Sequence, residues 1–368
     1  MNILIACDKF KGTLDAKEAA EAIERGLVNA RLSAEVTIAP ISDGGEGFTQ
    51  AIVEAKSGEL IHKVVIDALG RKVEAIWGMI PLEGGGKAAI IEMSQASGLW
   101  RISEDERDIM NASTYGTGQL IRDAIWHPKV LHVYIGIGGS ATNDAGVGMA
   151  QALGIRFVGP ESKVFPKDFA SVTDVDVSRK IPLPEVTVAC DVDNPLCGEN
   201  GASAIFGPQK GATPQQVEEL DKLLQHIAKV SGKEELANEP GAGAAGGLGF
   251  GLMAFADAKL VSGFDLVADA LGLEDAIKKA DIVITGEGGL DAQSLQGKGP
   301  IGVAELAKKH NKPCCAVAGK VDHDVDWSPY FKGILSMVDS DIPLEELMNQ
   351  PKKHLSEMVR DFFAQLSI

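Results

Sequence analysis

Five short loops in this chain set carboxylates, lysines and glycines side by side, and each residue type there brings its own chemistry. They are Asp8-Lys9-Phe10-Lys11-Gly12-Thr13, Ser42-Asp43-Gly44-Gly45-Glu46-Gly47, Gly138-Gly139-Ser140-Ala141-Thr142-Asn143-Asp144-Ala145-Gly146, Asp191-Val192-Asp193-Asn194-Pro195 and Gly286-Glu287-Gly288-Gly289-Leu290-Asp291. Glycine lets bare backbone amides close on an anion, and a helix beginning there adds a dipole favourable to phosphate. Carboxylates repel phosphate unless a hard cation intervenes, and Mg2+ held by one or two carboxylates plus phosphate oxygens meets that need. Carboxylates also take protons from substrate hydroxyls. Lysines neutralise developing charge, and Lys9, Lys11, Lys210 and Lys298 sit in loops of this kind. Together the parts describe phosphoryl transfer from a magnesium nucleotide.

Taken singly, each loop also reads as a plain turn or a helix cap. Asp144, ahead of an Ala- and Met-rich segment, suits a charge at a helix start; Lys210 and Lys298 suit solvated surface; Cys190 and Cys314 suit strand interiors. Five such loops together argue against coincidence.

Each loop follows an apolar, β-branched run within two residues. The runs are Ile3–Cys7, Val36–Ala39, Val130–Ile137, Val186–Cys190 and Ile282–Ile284, with a further one at Cys314–Val317. Helical patterns lie between them, at Ala16–Leu27 (with Thr13 or Asp15 as cap) and Pro214–Val230. That alternation is the signature of parallel α/β architecture, whose ligands bind at the carboxyl ends of strands. Lys63–Ile66 and Lys72–Trp77 alternate as a hairpin or edge pair. The turn-rich Pro81–Gly86 reads as a linker and Gly272–Ala280 as a second break, so that the middle of the chain makes one domain and the two ends another.

Composition narrows the function classes. With 368 residues the chain has room for about two domains. No apolar run approaches the roughly 18 residues of a membrane helix, and Met1-Asn2-Ile3-Leu4-Ile5 reads as a strand without the basic region of a signal peptide, so a cytoplasmic protein is expected. A net charge of −17 repels nucleic acid and anionic membrane surfaces. Five cysteines without a repeated C-x-x-C, and seven histidines without H-x-H or H-E-x-x-H, argue against disulfides and zinc. There is no G-x-x-x-x-G-K-[ST], and the G-x-G-x-x-G at Gly241, Gly243 and Gly246 does not follow an apolar strand.

With Phe206-Gly207-Pro208-Gln209-Lys210-Gly211-Ala212 as a sixth motif, and with Cys190 and Leu196 bracketing the Asp191 loop, these segments resemble in order the motifs of the bacterial type-1 glycerate kinases, over essentially the whole chain. Two departures are visible: the family more usually has Pro-Asp-Ser where Cys7-Asp8-Lys9 stands, and a third glycine where Ala145 stands. The resemblance implies two α/β domains with the active site in the cleft. One is a Rossmann-like parallel-sheet domain built from both chain ends, residues 1–83 and 281–368, and the other is an inserted α/β domain, residues 84–280.

It also implies an ATP- and Mg2+-dependent kinase phosphorylating D-glycerate at the 2-hydroxyl. On that footing the backbone at Gly138, Gly139 and Ser140, the side chains of Thr142 and Asn143, and Lys210 are expected to bind the nucleotide. Asp191 is expected as base or orienter of the glycerate hydroxyl, Lys9 or Lys11 to receive its carboxylate, Asp43 to act beside them, and Glu287, Asp291 and Glu46 to hold the metal. A small organic acid is the expected partner, with neither nucleic acid nor membrane, and a homo-oligomer stays open. Alternatives are a kinase for another short hydroxy acid, an NAD-dependent hydroxy-acid oxidoreductase and a two-domain binding protein.

Overall fold

Residues 1–365, except 11, 32, 43, 161, 162, 293 and 296–298, are described by a computed structural model of the chain. Its strands in chain order are β1 (Asn2–Cys7), β2 (Glu35–Ile38), β3 (Glu59–Ile66), β4 (Lys72–Pro81), β5 (Lys87–Glu92), β6 (Val130–Gly136), β7 (Arg156–Val158), β8 (Asp174–Asp176), β9 (Glu185–Ala189), β10 (Lys259–Val261), β11 (Ile282–Leu290), β12 (Cys314–Val321) and β13 (Gly333–Ser336). They fall into two units, one of Met1–Asp43 with Phe264–Ile368 and one of Gly44–Gly263.

The first unit carries an all-parallel sheet in the order β13-β12-β11-β1-β2. Its inner strands β1, β11 and β12 are mostly apolar and buried, because both faces are covered. Leu4, Ala6, Val283 and Ala316 pack with Ile301, Val303, Ala304 and Ala307 of the helix Gly299–Lys309. Ile3, Ile5, Ile284 and Val317 face the other way, onto Ala19, Ile23 and Leu27 of the helix Ala16–Asn29 and onto Leu355 and Val359 of the helix Pro351–Gln365. Each leucine, isoleucine or valine among these contributes roughly 1.5–3 kcal/mol on burial. Of the two expected caps, Asp15 is the one used: its Oδ1 accepts the Glu18 N–H at 2.7 Å while Glu18 Oε2 accepts the Asp15 N–H at 3.2 Å. Gly26 lets the two helices close, since a Cβ there would lie 2.6 Å from the Ser356 carbonyl oxygen. The chain leaves β1 toward β2 on one side and β11 toward β12 on the other, so the sheet changes direction between β1 and β11. A crevice for ligands opens at such a point in this type of sheet.

The second unit has a mixed sheet in the order β10-β9-β6-β5-β4-β3, with β10, β9, β6 and β5 parallel and β4 and β3 antiparallel. Trp77, Ile91, Val133, Ile135 and Val188 point to one face and pack on Leu120 and Ile121 of the helix Tyr115–Ile125 and on Leu248 and Leu252 of the helix Ala244–Ala256. Fully buried Trp77 donates its indole N–H to Asp123 at 3.0 Å. The helix Pro214–Val230 forms over the expected residues, capped by Thr213 and burying Leu220, Leu223, Leu224 and Ile227.

The expected domain borders at 83/84 and 280/281 fall elsewhere. β3 and β4 join the middle sheet through β5, which moves the first border up to 43/44. Phe264, Ala268, Leu273 and Ile277 bury against the first sheet, which moves the second to 263/264. Gly84, Gly85 and Gly86, which read as a linker, make the turn between β4 and β5, all three with positive φ and with Leu82 N–H donating to the Gly86 carbonyl at 3.2 Å. Linkers and tight turns draw on the same residues, so composition alone does not separate them.

Candidate active site

In the second unit the parallel strands β5, β6, β9 and β10 deliver their carboxyl ends to one edge of the sheet, and the glycine loop after β6 begins there. Two glycine segments press against each other at this edge. Gly138 N–H donates to the Gly44 carbonyl at 3.2 Å, and a Cβ on Gly138 would lie 2.7 Å from Gly45 Cα. The Gly138 amide is therefore taken. The N–H groups of Gly139 and Ser140 have no partner among the described residues, and Gly139, with φ +74°, is exposed. Leu99 N–H donates to the Gly139 carbonyl and Ala141 N–H to the Ser97 carbonyl, both at 2.9 Å, which ties the loop down on either side of Ser140.

Beyond Ser140 the loop turns inward. Thr142 and Asn143 are fully buried; Asn143 Nδ2 donates to Ser203 Oγ at 2.9 Å, while Thr142 Oγ1 and Asn143 Oδ1 have no hydrogen-bond partner. Orphaned buried polar atoms such as these call for a water or a ligand atom. Lys210, which read equally well as solvated surface, is only 2% exposed. Its ammonium donates to Ser140 Oγ and to the Thr142 carbonyl, both at 2.7 Å. Burial pulls its pKa down from 10.5 to about 7, against the opposing attraction of Asp144. Asp144 is fully buried, and burial pushes its carboxyl above the usual range although four donors favour the charged form. Those donors are Thr114 N–H at 2.8 Å, Thr114 Oγ1 at 2.9 Å, Gly146 N–H at 3.1 Å and Gly148 N–H at 3.2 Å. The charge at a helix start that its position suggests is what it supplies, to the turn Val147–Ala152.

The glycine run from Gly241 is spent on this loop and not on a dinucleotide. The helix Ala244–Ala256 breaks at Ala245, Gly246 and Gly247, all left-handed, and a Cβ on Gly246 would lie 1.9 Å from the Thr142 carbonyl oxygen. A Cβ on Gly251 would meet the Ala145 carbonyl oxygen at 2.4 Å. The spacing of these glycines is a packing signal, in keeping with the lack of an apolar strand before them.

Asp191 follows β9, half-buried, and its Oδ1 accepts the Gly263 N–H at 2.9 Å and the Ser262 hydroxyl at 3.1 Å, residues that follow β10. Glu46 is exposed, its Oε1 3.9 Å from where a Cβ on Gly139 would stand. One carboxylate at this edge went unnoticed in the sequence. Glu92 ends β5 and is buried, accepting Ser94 Oγ at 2.6 Å and Gly47 N–H at 3.0 Å, with its pKa raised by burial. The apolar run Ala88–Ile91 closing on a glutamate is the same strand-then-acid pattern as the other loops and could have revealed it.

In the first unit the candidate residues gather where the sheet changes direction. Cys7 pairs with Gly286, and Asp8 N–H donates to the Gly286 carbonyl at 2.8 Å, so Asp8 and Glu287 follow one another across β1 and β11. Glycine is required at 286, since a Cβ would stand 1.9 Å from the Val317 carbonyl oxygen. Asp8 is buried and turns Oδ1 to the Lys9 N–H at 2.6 Å; Lys9 is half-buried. Ser294 draws two of the acids together, its hydroxyl donating to Glu287 Oε1 at 2.7 Å and its N–H to Asp291 Oδ1 at 3.3 Å. Lys11, Asp43 and Lys298 lie outside the described residues.

Among the described residues no group of three or more His, Cys, Asp or Glu side chains forms a closed metal cage. Glu287 and Asp291 make a pair, and a pair of carboxylates completed by phosphate oxygens and water is how Mg2+ is usually held with nucleotides, so this donor set fits that ion. A cavity of about 470 Å3 beside Gln215, Glu218, Lys222 and His226 contains none of the candidate residues. No helix among the described residues is long and apolar enough to cross a membrane.

Comparison with known proteins shows the family. The family model "Glycerate kinase family" matches residues 3–367. A glycerate kinase of Haemophilus influenzae is 43% identical over 366 residues, covering 96% of each chain. A glycerate 2-kinase of Escherichia coli K12 is 46% identical over 334 residues, covering 88% of this chain and 87% of its own. A crystal structure from Salmonella typhimurium LT2 bearing the name glycerate kinase 2 superposes with a TM-score of 0.82 at 40% identity, covering 100% of this chain and 98% of that one. The chain belongs to the glycerate kinase family.

Proposed function

We propose that this protein transfers the γ-phosphoryl group of ATP to D-glycerate, at the 2-hydroxyl, giving 2-phosphoglycerate and ADP. The observation that carries the reading is the glycine loop after β6, with two unpartnered amides, on exposed Gly139 and on Ser140 just inward of it, and a buried lysine beneath them. Amides of Gly139 and Ser140 suit phosphate oxygens, with Gly138 needed for its missing side chain. Thr142 Oγ1 and Asn143 Oδ1 hold further hydrogen-bonding capacity below them. Phosphoryl transfer asks chiefly for positioning and charge stabilisation, which such a loop supplies.

Asp191 is the base in this reading. The glycerate hydroxyl oxygen forms the new bond to phosphorus, Asp191 takes its proton, and ADP leaves. Gly263 N–H and the Ser262 hydroxyl fix the Asp191 carboxylate in a set direction, which a base needs. Lys9, with Lys11, is assigned to the glycerate carboxylate, and Asp43 to the same group of residues. Glu287, Asp291 and Glu46 are the candidates to hold Mg2+, which supplies neutralisation of the triphosphate when bound.

Phosphorus NMR of the protein with ATP, Mg2+ and D-glycerate tests the transfer, the acceptor and the position in one spectrum. A phosphomonoester signal split into a doublet by the single proton on carbon 2 is expected. A triplet, from the two protons on carbon 3, overturns the regiochemistry, and inorganic phosphate alone overturns the acceptor. If D-glycerate is inert, a panel of other short hydroxy acids identifies the competing acceptor.

A further inference from the structure

Lys210 ends the 3-10 turn Pro208–Lys210 and is held there from behind. Gly211, with φ +90°, comes so close to Arg107 that a Cβ would lie 2.9 Å from the Arg107 Cβ, and the Arg107 guanidinium donates to the Gln209 carbonyl at 3.1 Å. Both hydrogen bonds of its ammonium go to one stretch of chain, Ser140 Oγ and the Thr142 carbonyl. That stretch lies immediately inward of the amides assigned to phosphate. We propose that Lys210 is a positioning residue for the nucleotide site, which grips the Ser140–Thr142 segment from the interior and sets the direction of the Gly139 and Ser140 amides without touching the nucleotide itself. This inference rests on the reading of the 138–146 loop as the phosphate site.

Three observations support it. The ammonium is buried, so its reach is spent on protein atoms. The charged groups around it are Asp144, which anchors the far end of the same loop through Thr114, Gly146 and Gly148, and Arg107 on the turn behind. The loop is thus held by a cation at one end and an anion at the other. Burial also brings the lysine to titrate near neutrality, at about 7, so the charge-assisted character of its two bonds fades as pH rises through that value.

A double-mutant cycle tests the role. MgATP affinity is measured by calorimetry, without acceptor, for the unmodified protein, Lys210→Met, Ser140→Ala and the double variant, with thermal melting as the check on folding. Lys210→Met should weaken binding by about 10- to 100-fold, the range for losing hydrogen bonds to a charged group. Adding Ser140→Ala to Lys210→Met should then cost no more than about 2-fold, because the two residues act as one unit. Losses that multiply overturn the proposal and make Lys210 a direct ligand. In the unmodified protein affinity should also fall as pH rises through about 7, and Ser140→Ala should blunt that fall; an unchanged pH profile in Ser140→Ala overturns the proposal even if Lys210→Met does not fold. If the unmodified protein binds no MgATP, the nucleotide reading fails and takes this role with it; if it binds and the cycle is additive, only the positioning role fails.

Discussion

Asp144 and Thr114 are joined twice, with Asp144 Oδ2 accepting the Thr114 N–H at 2.8 Å and its hydroxyl at 2.9 Å. The same hydroxyl accepts the Met149 N–H at 2.9 Å, so one carboxylate links the loop after β6 to the starts of two helices. Asp144→Asn preserves the shape but removes the charge and sets an NH2 group among donors. A loss of about 1–3 kcal/mol is expected, as for leaving buried donors without their acceptor, read from the urea midpoint at unchanged slope. A variant as stable as its parent would show that the carboxylate is dispensable to the framework.

The pH dependence of stability should carry the mark of Lys210. Its folded pKa is depressed to about 7 from 10.5, so between those values the unfolded chain binds more protons than the native one. Stability contributed by this group therefore rises with pH from about 7 toward 10.5, opposite in sign to the fall in nucleotide affinity over the lower part of that range. Comparing unfolding of the parent and Lys210→Met across this range isolates the contribution. Identical pH slopes in the two would contradict a buried, depressed lysine.

Gly246→Ala and Gly84→Ala separate packing from backbone strain. Both glycines have positive φ, but a Cβ at 246 would stand 1.9 Å from the Thr142 carbonyl oxygen whereas one at 84 would meet nothing within 4 Å. Gly84→Ala should cost only about 1 kcal/mol of left-handed strain. Gly246→Ala should cost about 3 kcal/mol or more and abolish nucleotide binding by displacing Thr142. Equal melting temperatures for the two variants would refute the close approach.

Asp191→Asn retains an acceptor for the Gly263 N–H and removes the base. Turnover of D-glycerate should fall by about 10²–10⁴-fold with little change in melting temperature. Near-normal turnover in the folded variant would take the proton-transfer role away from Asp191.

Glu287→Gln should raise the Mg2+ concentration needed for half-maximal turnover by about 10-fold, and chelation of the metal should stop turnover reversibly. Ser294 can still donate to the amide oxygen, so the local fold should persist. An unchanged metal requirement would exclude Glu287 as a ligand.

Much of the architecture was legible in the chain. Ile3–Cys7, Val130–Ile137, Val186–Cys190 and Ile282–Ile284 appear as β1, β6, β9 and the first part of β11, because apolar runs between glycine-rich turns have few other ways to be buried. The helix Ala16–Asn29 was announced by its cap and its apolar face. Less visible were β5, which directly follows a turn that resembles a linker, and β10, three residues long, whose place depends on pairing with β9.

Residue order alone settled where strand ends, acids and glycines coincide, and with it the family to which the chain belongs, since both are local patterns along the backbone. Tertiary structure alone decided the duty of each charge. Lys210 and Ser140 lie 70 residues apart, and Asp144 and Thr114 lie 30 apart. Whether a charged side chain is solvated or buried depends on partners brought in from such distances, because the cost of removing it from water is met only by the donors and acceptors that surround it.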